Sequence, residues 1–316
     1  MSDLPFRDAV PARDLVGYGR HRPDPAWPGG ARLALTIAVN VEEGGEESPL
    51  LGFDRSETPL TDAAAASADV PGRDLAGESM MNYGSRVGFW RVHRLLTERG
   101  MVATTSAVAL ALEANPEIAV AAREAGWDLM GHGYRFAKHY LMSEDEERAD
   151  LARAVASFRR TWGAAPEGWY CRYGPSAQTR RLLVEHGGFL YDSDAYDDEL
   201  PYWADVPGLA GPSGEPARQL VIPHTFSNND NKYAKGWWST SEDAFVYLRD
   251  CFDVLLDEGR RGSAGMMVVS VHPRLTGHPA RAAGLARFLD HVARHEDVWV
   301  ATRAEIARHW VQTQPV

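Results

Sequence analysis

Four carboxylates lie within one short turn of the sequence. Glu42, Glu43, Glu46 and Glu47 belong to NVEEGGEESP, which follows the apolar run RLALTIAV at 32–39. A carboxylate can take a proton from water, so Glu42 and Glu43 are candidates for a general base and the group that orients it. The alternative is a solvated acidic turn near a helix N-terminus, where the helix dipole favours negative charge.

Further apolar runs also end in polar side chains. His132 ends WDLMGH, Arg172 ends GWYCR and His272 ends MMVVSVH, while FLYDSD closes with Asp192 and Asp194. In parallel α/β folds, ligands bind at the carboxyl ends of the strands. Acid, His and Arg at several strand ends therefore indicate a hydrolytic or acid–base site.

Each of these side chains also has a structural interpretation. His132 is a candidate metal ligand or substrate contact, and the alternative is a hydrogen-bonded core histidine. Arg172 is suited to clamping a carbonyl or orienting a carboxylate, and the alternative is a structural ion pair with Glu43 or Asp194. His272 ends the most apolar strand, where burial is costly unless the ring is hydrogen-bonded, and its ordinary pKa suits proton delivery near neutrality.

Other chemistries find little support in the sequence. The chain contains no GxGxxG after a strand, no GxxxxGK[ST], no GxSxG and no CxxC. Cys171 stands beside Arg172, which can lower a thiol pKa, but the sequence gives no sign of a His–Cys pair. A cysteine nucleophile is therefore not favoured.

Apolar runs alternate with helical patterns along most of the chain. Ser143 and Glu146 form a capping box, and Ser85 is expected to cap a helix that ends at Gly100. The predicted strands are 32–41, 101–106, 127–132, 168–172, 189–193, 219–223, 266–272 and 297–301. Alternating strands and helices imply parallel strands with right-handed crossovers. About eight such units predict an α/β fold of the irregular (β/α) barrel type, with a doubly wound open sheet as the alternative.

The whole chain, 1–316, is interpreted as a single catalytic domain. Residues 1–30, rich in Pro, Gly and Arg, are expected to form an irregular arm over the fold. The Ala-rich insert 61–69 and the segment 204–218 are expected to be surface loops and not domain linkers.

Composition narrows the class of partner. The 33 Lys and Arg against 44 Asp and Glu give a net charge of −11, which disfavours nucleic acid and anionic membranes. A small-molecule substrate is therefore expected. The N-terminus lacks a secretory pattern, no apolar run is long enough to span a bilayer, and two cysteines suit a reducing cytoplasm, so a cytoplasmic location is predicted.

Taken together, the strand-end residues resemble the polysaccharide deacetylase family. NVEEGG matches the strand followed by two acidic residues, GHGYRF matches the His motif, YCRYGP loosely matches the Arg motif, and VVSVHPRL matches the final strand ending in His. The family implies an irregular (β/α) barrel that cleaves carbon–nitrogen bonds of acetamido sugars.

Longer segments are similar to one branch of that family, the cofactor-independent allantoinases and their relatives. These segments are RDLVGYGRHRPDPAWPGGARLAL, NVEEGGE, YGSRVGFWR, GFLYDSDAYDDELPYW and VWVATRAEIARHW. The resemblance covers about residues 13 to 310. It implies that Glu78, Tyr83, Arg86 and Trp203 help to shape the substrate pocket, and Asp194, at its strand end, is a further candidate substrate contact. It also implies a homo-oligomer, with a tetramer as the common form.

The resemblance also bears on metals. Sugar-active deacetylases bind a divalent ion through one Asp and two His, the second His four residues after the first. Here the acid is Glu43, the first His is His132, and the second position is Phe136, which cannot ligate. His139 lies seven residues from His132, which is about 10 Å of helical rise and too far to share one ion. No cofactor is therefore expected; a zinc-like divalent ion, if bound, would be held by Glu43 and His132.

These observations predict hydrolysis of a carbon–nitrogen bond in a small cyclic amide or ureide such as allantoin. Glu42 is expected to act as the base on water, with Glu43 holding or tuning it. His272 is expected to protonate the departing nitrogen, and His132 with Arg172 to polarise the carbonyl. The alternatives are a metal-dependent deacetylase of N-acetylated sugars and a barrel that binds a ligand without catalysis.

Overall fold

One mixed sheet organises the chain. The computed structural model of the protein describes residues 13–57, 59–62, 70–211 and 213–315. Its strands are β1 Leu33–Val41, β2 Thr104–Ala107, β3 Asp128–Gly131, β4 Gly168–Trp169, β5 Tyr191–Asp192, β6 Tyr202–Ala210, β7 Pro216–Val221, β8 Gly265–Val271 and β9 Val298–Val300. Each of the eight predicted strands overlaps one of these.

Strand order identifies the architecture. The sheet runs β6-β7-β5-β4-β3-β2-β1-β8, with β9 also paired to β1, and every pair except β6–β7 is parallel. Strands follow one another around the sheet almost in chain order, as in a (β/α) barrel. The order does not reverse at a central switch point, which is the mark of a doubly wound sheet. The irregular-barrel prediction is therefore confirmed.

Helices cover the outer face of the sheet. They are α1 Leu75–Tyr83, α2 Phe89–Thr97, α3 Ala109–Ala114, α4 Pro116–Glu124, α5 Glu144–Thr161, α6 Thr179–His186, α7 Asn231–Ala234, α8 Ser241–Arg260, α9 Pro273–Thr276, α10 Pro279–Val292 and α11 Arg303–Thr313. The predicted capping box of Ser143 and Glu146 opens α5. Within the described residues, no helix is both long enough and apolar enough to cross a membrane.

Strand β1 forms the centre of the fold, and its sequence explains why. All nine of its residues are buried, because β8 and β2 flank it and helices cover the outside of the sheet. A strand enclosed in this way needs apolar side chains on both faces, which LALTIAVNV largely provides. The carboxyl end of β1 therefore carries the acidic turn to a fixed position at the rim of the barrel.

An irregular segment lies along the free edge of β8. The sheet ends in β6 on one side and in β8 on the other, and among the described strands β8 pairs with β1 alone. Instead, the Ser270 N–H donates to the carbonyl of Asn228, and the Asp230 N–H donates to the carbonyl of Ser270, both at 3.0 Å. Residues 228–230 thus take the place of a neighbouring strand beside the upper half of β8.

Two local predictions were wrong. Ser85 does not cap a helix: α1 begins after Asp74, whose side chain accepts from the Ala76 N–H, and continues through a π-helical segment, Gly84–Gly88, into α2. Segment 204–218 is not a loop, because most of it forms the β6–β7 hairpin. Of the Ala-rich insert, residues 63–69 lie outside the described part of the chain.

Several hydrogen bonds anchor the described part of the N-terminal arm to the rest of the fold. The Tyr18 hydroxyl donates to the carbonyl of Pro201 at 2.7 Å, and the Trp27 indole N–H donates to the carbonyl of Gly265 at 3.0 Å. Residues 13–27 form no helix or strand and are followed by a short 3-10 turn, Pro28–Gly30.

Candidate active site

Side chains from three strand ends meet around the carboxylate of Glu42. Its Oε1 lies 3.5 Å from Nε2 of His132, which follows β3, and 3.5 Å from Nε2 of His272, which follows β8. All three side chains are almost completely buried. The rim of the barrel thus assembles one carboxylate and two imidazoles into a compact group.

His272 is held by a second carboxylate, Asp230. The two are joined by Nδ1 and Oδ1 at 2.5 Å, and Oδ2 of Asp230 accepts from the His272 backbone N–H at 2.8 Å and from the Thr276 hydroxyl at 2.6 Å. Burial alone would lower the pKa of His272, but Glu42 and Asp230 outweigh it and raise that pKa to about 9. At neutral pH the ring is therefore an imidazolium, ready to give up a proton.

An arginine occupies the other side of Glu42. The Arg274 guanidinium donates through Nη1 to Oε2 of Glu42 at 2.6 Å and through Nε to the carbonyl of Leu60 at 3.1 Å. Burial would raise the pKa of Glu42, but Arg274 and His272 hold it well below the usual range. Glu42 is therefore a carboxylate at any pH near neutrality.

Glu43 points away from this group and lies in a different environment. Its Oε1 accepts from the Arg274 backbone N–H and its Oε2 from the Glu42 backbone N–H, both at 3.2 Å. Burial raises the pKa of Glu43 to about 7 against the influence of Arg274. The two adjoining carboxylates thus differ strongly in acidity, a pattern common in sites that run acid and base chemistry together.

His132 is oriented by the chain beside it. Its Nδ1 lies 2.6 Å from the carbonyl of Tyr170, so Nδ1 carries the proton and Nε2 is directed at Glu42. The ring also stacks on the Tyr170 ring, with 4.9 Å between centroids. In the neutral ring Nε2 is a lone pair, so His132 can donate to a substrate carbonyl only when it is protonated.

Arg172 does not form either of the ion pairs predicted for it. Its guanidinium pairs with Glu57, lies 3.4 Å from Glu47, and donates to the carbonyl of Phe136 at 2.6 Å. It also lies over the Phe136 ring, 4.2 Å from its centroid. The guanidinium that contacts Glu42 is that of Arg274, which stands two residues after His272 and was not among the predicted site residues.

Next to Arg172 the backbone is strained. Tyr173 has φ of +62°, a left-handed conformation that is uncommon for a non-glycine residue. Its half-exposed ring lies 5.0 Å from the Arg172 guanidinium. Strained residues of this kind cluster at functional sites, and Tyr173, beside Arg172, was not among the predicted site residues.

Two of the residues predicted to contact the substrate, Glu78 and Asp194, are engaged elsewhere. Glu78 on α1 accepts from Nη2 of Arg73 at 2.6 Å and from the Ser56 hydroxyl at 3.0 Å. Asp194 accepts from the Cys171 backbone N–H at 2.7 Å, and burial together with the neighbouring Asp192 raises the pKa of Asp194 to about 7. Neither carboxylate makes a described contact with Glu42.

The other three lie on outer elements. Tyr83 stacks on His278 with 4.1 Å between ring centroids, and Arg86 is exposed on the π-helical segment. Trp203 is not at the site, because its indole donates to the carbonyl of Gln314 beyond α11 at 2.8 Å. Its place in the substrate pocket is the suggestion that the structure supports least.

Cysteine chemistry is excluded at this site by burial. Cys171 is fully buried, and burial, with Asp194 and Glu147 adding to it, raises the pKa of its thiol well above the usual range. Cys171 is therefore an inert thiol, which agrees with the prediction that a cysteine nucleophile is not favoured.

The residues do not fit the divalent ion used by sugar-active deacetylases. Glu43, one of the two ligands suggested, binds backbone N–H groups and does not face His132. At the second His position the Phe136 ring packs between His132 and Arg172. His139 is turned to Asp150, at 3.4 Å. Glu42 and His132 remain as donors, together with His272, whose Nε2 holds a proton in the imidazolium form and so offers no lone pair. A catalytic zinc usually has three protein ligands.

The fold and the site together define a class: a (β/α)-barrel hydrolase with an acid–base group at the carboxyl ends of its strands. Residues 80–191 match the family model described as polysaccharide deacetylase. A putative polysaccharide deacetylase from Schizosaccharomyces pombe (strain 972) is 36% identical over 314 residues, covering 96% of this chain and 98% of that protein.

Solved structures agree over the full length. A probable polysaccharide deacetylase from Pseudomonas aeruginosa PAO1 superimposes with a TM-score of 0.88 at 40% identity, covering 96% of this chain and 99% of the other. PuuE allantoinase gives a TM-score of 0.87 at 40% identity, with 100% of both chains covered. The chain belongs to the polysaccharide deacetylase family, and it is an enzyme of the carbon–nitrogen hydrolase type.

Proposed function

We propose that the protein hydrolyses a carbon–nitrogen bond in a small cyclic amide or ureide such as allantoin, without a metal ion. The observation that carries the proposal is the set of charges around Glu42: Arg274 on one carboxylate oxygen, and His272, backed by Asp230, facing the other. A permanent guanidinium thus stands next to the carboxylate. Full-length similarity to an allantoinase supports the choice of substrate class.

In the proposed reaction, water adds to the substrate carbonyl while Glu42 accepts one of its protons. The carbon–oxygen bond forms, the carbon–nitrogen bond breaks, and the electron pair of that bond remains on nitrogen. The proton on Nε2 of His272 then passes to this nitrogen, so that the leaving group departs as a neutral amide or amine. Asp230 keeps the ring in place and stabilises its charged form before transfer.

Arg274 and Glu43 support these two groups. Glu42 is a weak base because its pKa is low. It accepts a proton from water in the same turnover in which His272 releases one, because loss of the imidazolium charge raises the pKa of Glu42. Arg274 keeps the carboxylate ionised and directed at the site. Glu43, with its pKa near 7, holds the Arg274 backbone through an N–H bond and so fixes the guanidinium at one end of the group.

Turnover of a defined substrate panel tests the proposal. Purified protein is assayed against hydantoins, allantoin and N-acetyl sugars, with and without a chelator, and its metal content is measured. We expect ring opening of a cyclic ureide that survives chelation. Glu42→Gln and His272→Ala should each lower kcat by about 10²-fold or more while the folded state is retained. Unchanged turnover in either variant would remove that residue from the mechanism.

The second candidate is metal-dependent deacetylation of an N-acetylated sugar. It is favoured by the family match and by the names of the relatives from S. pombe and P. aeruginosa. A stoichiometric zinc whose removal abolishes deacetylation would establish it and overturn the first proposal. Thermal stabilisation by one panel compound with turnover of none would instead indicate a barrel that only binds its ligand.

A further inference from the structure

One buried histidine near the catalytic group has no role in the mechanism so far. His224 follows β7 and is 2% exposed. Its ring centroid lies 4.5 Å from that of Tyr170, the residue on which His132 stacks. His132 and His272 are also close enough to lower its pKa. His224 is therefore linked to the group around Glu42 through the Tyr170 ring, which both His132 and His224 contact.

An arginine fixes which nitrogen of His224 carries the proton. Nη2 of Arg303 lies 2.9 Å from Nδ1 of His224, and a guanidinium can only donate, so Nδ1 must be the acceptor. The neutral ring then carries its proton on Nε2. Burial, followed by the charges of Arg303 and the two other histidines, keeps the pKa of His224 well below its usual range, so the ring stays neutral.

Arg303 is itself held firmly. It is completely buried inside the barrel, and its Nη1 donates to the Ser193 hydroxyl at 2.6 Å and to the carbonyl of Ile222 at 3.2 Å. Because Nδ1 and Nε2 lie on different edges of the imidazole ring, an Nδ1 turned to Arg303 leaves Nε2 directed away from it. The arginine thus sets both the tautomer and the direction of the free N–H.

That N–H has no acceptor among the described residues. Nε2 of His224 is inaccessible to solvent and makes no hydrogen bond there. Buried donors are nearly always paired, and an unpaired one beside a catalytic group indicates an acceptor that arrives with a ligand or a fixed water. The partners predicted to polarise the carbonyl cannot easily do so, because Arg172 is paired with Glu57 and His132 donates to Tyr170.

We propose that His224 forms an oxyanion-binding subsite, in which its Nε2–H donates to the carbonyl oxygen of an uncharged amide, imide or ureide. This inference rests on the proposed function and adds to it the group that stabilises developing charge on oxygen. A neutral donor backed by a fixed guanidinium suits this task, because it strengthens its hydrogen bond as the oxygen becomes negative without giving up its proton.

The first experiment does not depend on activity. Long-range ¹H–¹⁵N spectra of histidine-labelled full-length protein, assigned through His224→Gln, report the tautomer directly. We expect the Nε2–H form from pH 6 to pH 9, and a downfield shift of that proton when hydantoin is bound. An Nδ1–H form or a charged ring would overturn the proposal. So would a proton resonance that does not respond to bound hydantoin, which would show that a fixed water is its partner.

The second experiment separates a catalytic donor from a structural one. His224→Phe removes the donor and should lower kcat by about 10²- to 10³-fold with little change in KM, as loss of an oxyanion donor does elsewhere. His224→Gln, whose amide nitrogen reaches the position of Nε2, should restore part of that loss. His186→Gln, at an exposed position in the last turn of α6, serves as the control. Equal kcat in the Phe and Gln variants, with both folded by circular dichroism, would contradict the proposal.

The two experiments keep this inference distinct from the proposed function. If the wild-type protein turned over no panel compound, the function would fail. The tautomer and the response of Nε2–H to bound hydantoin would still decide whether His224 binds a carbonyl oxygen.

Discussion

Directly after β1 the chain turns, and the carboxylates of Glu42 and Glu43 enter different surroundings. Glu42 meets Arg274 and His272 and stays ionised. Glu43 accepts from two backbone N–H groups, lies 3.9 Å from the Arg274 guanidinium and is buried with a raised pKa. The EE pair is therefore two different functional groups, which the sequence alone could not distinguish.

Single residues at strand ends were predictable, and residues on irregular segments were not. Glu42, His132 and His272 each end an apolar run, and the common polarity of parallel strands brings such ends together. Asp230, Arg274 and His224 follow strands by some residues, where no periodicity fixes the direction of a side chain. Their acidic or basic character was visible in the sequence, but their partners were not.

The pH dependence of catalysis should respond to Asp230. Asp230 and Glu42 raise the pKa of His272 to about 9, and the proton donor works only while protonated, so kcat/KM should fall as pH rises through about 9. Asp230→Asn removes one of the two charges that stabilise the imidazolium. The decrease in kcat/KM should then occur at a pH that is lower by about one unit or more.

This profile is measured from pH 6 to pH 10 on the best panel substrate. Asp290→Asn, which alters an exposed ion pair with Arg99, should not change the pH at which kcat/KM decreases. If kcat/KM decreased at the same pH in Asp230→Asn as in the wild type, His272 would not be the titrating proton donor.

Among the elements, the π-helical segment Gly84–Gly88 is the one that supports the site most directly. It packs against α9, and glycine allows the contact: a Cβ on Gly88 would lie 2.0 Å from the carbonyl oxygen of Pro273. A Cβ on Gly84 would lie 2.2 Å from Oε1 of Glu43. π-Helical turns occur frequently at functional sites, and here one lets the α1–α2 helix approach Glu43 and the backbone of Arg274.

Gly84→Ala should therefore affect activity and stability together. The added methyl group must displace Glu43 or the Arg274 backbone, so we expect a free energy of unfolding lower by about 1–3 kcal/mol and a reduced kcat. Urea denaturation and steady-state kinetics measure the two effects. Val87→Ala, on the exposed side of the same segment, should change neither by much. Full activity in Gly84→Ala would show that this contact does not position Glu43.

Among the secondary-structure elements, apolar runs predicted the strands well, whereas the candidate N-cap residue Ser85 predicted a helix start wrongly. The short strands β4 and β5 appear where GWYCR and FLYDSD placed them, because burial on both faces demands apolar residues. Ser85 looked like a cap but lies inside a continuous helix, where its hydroxyl accepts from the Asn115 amide. The β6–β7 hairpin was missed because Pro and Gly in ADVPGLAGPSGEPAR are typical of loops, although irregular pairing also tolerates them.

For the whole molecule, several buried carboxylates should make folding depend on pH. Burial raises the pKa of Asp194 and of Glu43 to about 7, and that of Asp128 to about 6. Between the ordinary pKa near 4 and these values, the folded state binds more protons than the unfolded state. The free energy of unfolding contributed by these groups therefore falls as pH rises from about 4 to about 7.

Asp194→Asn should flatten this dependence. The amide oxygen can still accept from the Cys171 N–H but does not ionise. Relative to wild type, the variant should gain stability at pH 8 compared with pH 4.5, by about 1.4 kcal/mol for each unit by which the pKa of Asp194 is raised. Urea denaturation at the two pH values measures it, with exposed Asp205→Asn as the control. Parallel stability curves would show that Asp194 ionises as freely in the folded state as in the unfolded one.

The oligomeric state stays a prediction at this scale. A homo-oligomer, expected to be a tetramer, follows from the resemblance to the allantoinase branch, and light scattering on the purified protein measures it.

One short stretch, residues 228–230, replaces a strand beside β8 and also supplies the carboxylate that holds His272. A displacement that opened the barrel there would carry Asp230 away from the imidazole and weaken its hold on the proton. Residues 228–230 thus link the pairing along the edge of β8 to the pKa of His272. A substitution that makes residues 228–230 more rigid should therefore keep Asp230 hydrogen-bonded to His272 at temperatures at which the other strand ends already fluctuate.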